Sequence, residues 1–253
     1  IMSFNDKVVL VAGGSSGIGA AIAIKFAELG AKVAIVGRKE AKLNEVAKKC
    51  NKPLVIVADV TKEDDVTRIV NDTVKHFGKL DILINSAGIG KGSSIVAEDA
   101  MTAFDQVMAT NLRATVHLTH VAAPHIIKTK GNIVSISSIS ALRTVAKLSF
   151  AYNTAKAGLD HFTRSVAAEL ASSGVRVNCV NPGIVKTDIM TNMGIEKAHQ
   201  EAAYENMKKL TALDRVSEPE EIADVVVFLA SDKAKAITGA NFVCDNGVII
   251  KAD

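Results

Sequence analysis

Apolar residues fall in short, dense runs along this chain: KVVLVA, KVAIVG, PLVIVA, LDILIN, GNIVSIS, VRVNCV and ANFVC, most of them rich in Val and Ile. Runs that are apolar at consecutive positions, rather than alternate ones, read as strands covered on both faces. Between them lie longer stretches with apolar residues at helical spacing, such as VTRIVNDTVKHF and IADVVVFLA. Seven strands alternating with helices predict an α/β fold in which short right-handed crossovers give a mostly parallel, doubly wound sheet with helices on both faces. One domain over residues 1–253 accommodates the whole pattern.

Two helix starts are predicted from capping boxes, Ser217 with Glu220 and, more weakly, Thr61 with Asp64. Gly174 reads as a C-cap and Pro124 as a residue that kinks or shortens its helix. Residues 187–217 lack strand character and carry Met190, Met193, Met207 and Tyr204. Inserted between the sixth and seventh strands, this segment is placed to cover a site as a substrate lid, and methionine adapts to varied apolar shapes.

Composition narrows the function classes. Thirty basic and 27 acidic residues are spread along the chain with a net charge of +3 and no basic tract, so nucleic acid is not an expected partner. Cys50, Cys179 and Cys244 lack paired spacing, which fits reduced thiols in a cytoplasmic protein. No run of about 18 apolar residues and no signal-peptide pattern is present, so no membrane partner is expected. His117 and His120 stand three apart without a third ligand, and no metal is predicted.

The first strand leads directly into AGGSSGIGAAIA, with Gly13, Gly17 and Gly19 spaced G-x-x-x-G-x-G before a helix. Glycines there permit a tight turn, and the helix N-terminus offers N–H groups to a pyrophosphate, as in Rossmann-like dinucleotide folds. The second strand ends in VGRKE, where Arg38 and Lys39 precede the first acidic residue, Glu40. A guanidinium suits a 2′-phosphate, with Ser16 able to add a hydroxyl, so NADP(H) is expected over NAD(H). Tyr152 is one of only two tyrosines and lies four residues before Lys156 in FAYNTAKAGLD. On a helix this spacing puts an ammonium beside a phenol whose pKa starts near about 10, and a nearby positive charge favours phenolate.

With these features the sequence strongly resembles the short-chain dehydrogenase/reductase family over essentially its whole length. Asp59–Val60 is similar to the family's adenine-contacting pair, NSAG from Asn85 to its N-N-A-G, Asn111 to its helix asparagine, and NPGIVKT from Asn181 to its P-G segment. The resemblance implies a catalytic set of Asn111, Ser138, Tyr152 and Lys156. In that set Tyr152 exchanges the proton, Lys156 lowers its pKa and holds the nicotinamide ribose, Ser138 binds the substrate carbonyl, and Asn111 positions a water. It also implies cofactor contacts from Gly13, Ser15, Ser16, Gly17, Ile18, Gly19, Arg38, Lys39, Asp59, Val60, Asn85, Ala87, Gly88, Tyr152, Lys156, Pro182, Gly183, Ile184 and Thr187. Substrate contacts fall to Ser138, Tyr152, Met190 and Met193, and a homotetramer is the implied assembly.

The chain departs from the family at Ala12, where threonine is common, at Ser86, in place of the second asparagine, and at Ser16, where many NADP-preferring members carry a cation. Ser138 precedes Tyr152 by 14 positions, one more than the usual gap, which leaves Ser140 as the alternative serine. The expected function is an NADP(H)-dependent carbonyl reductase, or alcohol dehydrogenase, acting on a small lipophilic ketone such as a ketosteroid, diketone or xenobiotic carbonyl. Alternatives are a 3-oxoacyl-carrier-protein reductase and a catalytically silent NADPH-binding sensor or scaffold.

Overall fold

The first strand, β1 (Val8–Ala12), is buried at every residue, and its alternating side chains feed two separate cores. Val9 and Val11 pack on one face with Ile22 and Phe26 of α1 (Gly17–Glu28), Leu43 of α2 (Glu40–Ala47) and Val226 of α8 (Pro219–Ala230). Val8, Leu10 and Ala12 pack on the other with α3 (Glu63–Phe77), α5 (Ala114–Thr129) and α6 (Phe150–Leu170). Period-two alternation between two apolar layers is why the strand runs are apolar throughout. The computed structural model describes residues 2–188 and 196–251.

The sheet also contains β2 (Lys32–Gly37), β3 (Leu54–Val57), β4 (Ile82–Asn85), β5 (Asn132–Ile136), β6 (Arg176–Pro182) and β7 (Asn241–Cys244). Its seven strands lie in the order β3-β2-β1-β4-β5-β6-β7 and every pairing is parallel. This is the Rossmann-like, doubly wound sheet expected. The strand order reverses between β1 and β4, where Ala12 pairs with Asn85 at their C-terminal ends. A crevice opens outside the strand ends at such a reversal.

Local chemistry differs from expectation at three places. Helix α8 begins one residue later than predicted: Pro219 is its first residue and the Glu221 carboxylate accepts from the Glu218 N–H at 2.8 Å. Ser217 is instead occupied by the loop beside it, its N–H donating to Ile184 O at 3.0 Å. Thr61 does not cap α3, because its hydroxyl donates to Asp59 Oδ1 at 2.8 Å. Helix α5 continues through Pro124 to Thr129, and the chain then turns at Lys130 with φ of 49°.

The break in that helical region lies earlier. Between α4 (Ala100–Met108) and α5, residues Ala109–Arg113 form one π-helical turn with Asn111 at its centre. Such wide turns are unfavourable locally and persist where side-chain placement requires them. Helix α7 (Lys197–Lys208) stands in the segment between β6 and α8. Among the described residues, no helix is long and apolar enough to cross a membrane.

Candidate active site

A cleft of about 460 Å³ opens at the C-terminal ends of the strands. The turn after β1 forms one wall. Gly13 has φ of +83°, and a Cβ there would sit 2.6 Å from the Ala87 backbone nitrogen, so the turn can lie against the end of β4 only without a side chain. Ser16 caps α1 by position without a side-chain hydrogen bond, and Gly17, Ile18 and Gly19 of the first helical turn line the cleft. This is a fitting cradle for a pyrophosphate: a glycine turn pressed against the sheet and a helix N-terminus facing the cavity. Ser86, one of the departures from the family pattern, closes the wall by donating its N–H to Ala12 O at 2.9 Å.

At one end of the cleft lie Arg38 and Lys39 beyond β2, with Lys42 in the first turn of α2. Asp59 and Val60 face them. Burial pushes the Asp59 carboxyl up, but two hydrogen bonds from Thr61 and the positive charges of Arg38 and Lys62 outweigh it and hold Asp59 below the usual carboxylate range. Lys42 forms an ion pair with Asp188 across the cleft.

At the other end, helix α6 and the loop after β5 bring Ser138, Tyr152 and Lys156 together on one wall. The Ser138 side chain lies beside the Tyr152 phenol and favours its ionised form. Ser140 does not join the lining. Its N–H donates to Ser138 Oγ at 3.1 Å, so the second candidate serine fixes the first through its backbone. Lys156 is 5% exposed, and its Nζ lies 5.6 Å from the Tyr152 ring centroid and donates to Ile136 O at 2.7 Å. Burial lowers the Lys156 pKa to about 8, with Asp160 opposing the shift. Burial also raises the Tyr152 pKa, with Ser138 acting the other way.

The cleft wall includes every implied cofactor contact except one. Asn85 is 3% exposed and lies behind the wall, where its Nδ2 reaches Thr119 Oγ1 at 3.2 Å and Ser135 Oγ at 3.3 Å. Although Asn85 is the last residue of β4, its side chain is directed into the sheet-helix layer toward Thr119. Asn111 is also set back: 1% exposed, it accepts from Ile89 N at 2.8 Å and donates to Ile89 O at 2.9 Å. A Cβ on Gly88 would lie 3.5 Å from Asn111 Oδ1 and 3.9 Å from Lys156 Nζ, so the three residues adjoin at that point. Met190 and Met193 lie outside the described residues.

Several participants carry no short-range signal in the sequence. Behind Tyr152 and Lys156, the buried Asp160 accepts from Asn181 Nδ2 at 2.8 Å, and the same amide donates to Ser138 O at 3.0 Å. Cys179 Sγ contacts both Asp160 Oδ1 and Asn181 Oδ1 at 3.5 Å, and burial together with Asp160 keeps that thiol protonated. Asp160 follows Lys156 by four residues, a spacing visible in KAGLD, yet its burial is not. Lys42, Asp188, Tyr204 and Met207 also line the cleft. Among the described residues no group of three or more His, Cys, Asp or Glu is placed to hold a metal ion.

Comparison with known proteins agrees with this geometry. The family model described as enoyl-(acyl carrier protein) reductase matches residues 12–249. L-fucose dehydrogenase of Bos taurus is 33% identical over 244 residues, covering 96% of this chain and 90% of the relative. (+)-Borneol dehydrogenase 2 of Salvia officinalis is 37% identical over 252 residues, covering 95% and 88%. A crystal structure of a short-chain dehydrogenase/reductase of unknown function from Caenorhabditis elegans, with cofactor, superposes with a TM-score of 0.92 at 35% identity, covering 98% of this chain and 97% of that one.

Proposed function

The chain belongs to the short-chain dehydrogenase/reductase family, whose members use a nicotinamide cofactor, and on that premise we propose that it is an NADP(H)-dependent oxidoreductase interconverting a carbonyl and an alcohol. The observation that carries this reading is the gathering of Ser138, Tyr152 and Lys156 on the wall of the cleft that the glycine turn also lines. A substrate carbonyl oxygen received between the Ser138 and Tyr152 hydroxyls is polarised by both, and Tyr152 delivers the proton from its phenol oxygen. Lys156, held by Ile136 O, keeps a positive charge beside the developing oxyanion. When bound, the nicotinamide supplies or accepts the hydride, and the chain sets the distance. Asn111 holds Ile89 and the adjacent Gly88 against the Lys156 end of the cleft.

Support for NADP(H) over NAD(H) is the cluster of Arg38, Lys39 and Lys42 at the adenosine end. Ile184 and Met207 in the wall support a lipophilic ketone as substrate. The family model's acyl-carrier-protein description keeps 3-oxoacyl-carrier-protein reduction as a second reading. A test follows NADPH oxidation with ketosteroids, α-diketones, quinones, aliphatic ketones and acetoacetyl thioesters, repeating each hit with NADH. A hit confined to acetoacetyl thioesters favours the second reading. NADPH binding without turnover on any carbonyl favours a silent sensor, and equal or better use of NADH removes the NADP assignment.

A further inference from the structure

The chain's second tyrosine lines the same cleft as the first. Tyr204, on α7, is 9% exposed and packs with Ile184, Ala203, Met207 and Val216. Its phenol oxygen accepts from Thr187 N at 3.1 Å and donates to Thr187 O at 3.3 Å. One hydroxyl thus holds both backbone polar groups of a residue that belongs to no helix or strand. The residues just before it are tied to the fold differently: Lys186 N donates to Ser217 O, and Ser217 N to Ile184 O, each at 3.0 Å.

Thr187 also faces the glycine turn. Gly17 has φ of +53°, and a Cβ there would come within 3.1 Å of Thr187 Cβ and Cγ2. A dinucleotide running from the Gly17 turn toward Tyr152 therefore passes beside Thr187. The geometry points to Tyr204 as a positioning residue that fixes Thr187 over the pyrophosphate and nicotinamide half of the cleft, an assignment that rests on the dinucleotide-binding reading above. Tyr204 acts through Thr187, and its two hydrogen bonds are to Thr187 rather than to Asp188, which pairs with Lys42 at the adenosine end.

Phenylalanine at position 204 keeps the ring in its apolar cluster and removes both hydrogen bonds, so Tyr204→Phe separates the role from the fold. Calorimetric titration of the full chain and of this variant would use NADPH, NADH and adenosine 2′,5′-bisphosphate, with ADP as the fragment if NADH is the tighter ligand. Two neutral hydrogen bonds lost should weaken the dinucleotide about five- to tenfold, with the adenosine fragment within about twofold of wild type and KM for the cofactor rising more than kcat falls. Equal weakening of dinucleotide and fragment would reduce Tyr204 to a structural residue and overturn the assignment. So would no change in either. If the unaltered protein binds neither dinucleotide, the cofactor reading and this inference fall together; if it binds one and Tyr204→Phe binds it equally well, only the inference falls.

Discussion

The two tyrosines face one cleft but are held in opposite ways. Tyr152 lies on a 21-residue helix whose neighbouring positions Ala151, Ala155, Lys156, Leu159 and Asp160 are buried, and its partners Ser138 and Lys156 are fastened by bonds to Ser140 N, Asn181 and Ile136 O. Tyr204 and Thr187 meet through two hydrogen bonds, in a region also joined by the backbone bonds between Ile184, Lys186 and Ser217 and by ion pairs between exposed side chains, Lys42–Asp188 and Lys186–Glu218. Exposed pairs contribute little because water already solvates both partners. The reacting wall is thus fixed by burial, while the covering wall is fixed by a few separable contacts, the kind of region that opens locally at low cost.

The largest effect should come from breaking the buried wall at its proton donor. Tyr152→Phe should lower turnover by about 10²- to 10⁴-fold with dinucleotide affinity nearly unchanged; a variant retaining a tenth of the activity would place the proton elsewhere. Lys156→Met should also abolish turnover, but it removes a burial cost. Because the folded protein holds the Lys156 proton less tightly than the unfolded chain does, with a pKa of about 8 against 10.5, the contribution of Lys156 to stability should rise with pH between those values by about 3 kcal/mol. Urea unfolding across that window should show wild type gaining on the variant as pH rises; parallel curves would contradict it.

Asp160→Ala should weaken both walls' asymmetry from behind. It deprives Asn181 Nδ2 and Cys179 Sγ of an acceptor and should cost about 2 kcal/mol of stability by denaturant titration, with kcat falling severalfold as the Ser138 carbonyl loses its fixed amide. An unchanged unfolding midpoint would show that the buried carboxylate is not a structural hub. The smallest effect is expected from Asp188→Ala. Stability should change by less than about 1 kcal/mol, while NADPH should bind about twofold more tightly because Lys42 is released to an incoming phosphate. Weaker NADPH binding would show that Asp188 supports the site instead.

The same division explains what could be read from the chain. Seven strands were visible because both sheet faces are covered and each run is apolar throughout, as β1 shows. The glycine turn and the Tyr152–Lys156 pair were visible because their chemistry depends on fixed short spacings. Asp160, Asn181 and Cys179 were not, since they converge from a helix and a strand, and no local pattern distinguishes a buried aspartate from a solvated one. Tyr204 gave no signal of its hold on Thr187, because that contact spans a loop whose path the sequence does not dictate. At the start of α8, an S-x-x-E match competed with the Glu218–Glu221 pair one residue later, and the bridge of Ser217 to Val185 decided between them.

The π-turn at Ala109–Arg113 makes chain length itself a constraint on this protein. A π-turn holds one residue more than an α-turn in nearly the same rotation, so removing one residue would let α4 and α5 merge into a continuous α-helix with their buried faces kept, at the expense of the widened turn that places Asn111. Asn111 could then no longer clasp Ile89 with both ends of its amide while Leu118, Ala122 and Ile126 stayed in the core. Across related chains, substitutions in this turn should therefore be far better tolerated than a single-residue deletion.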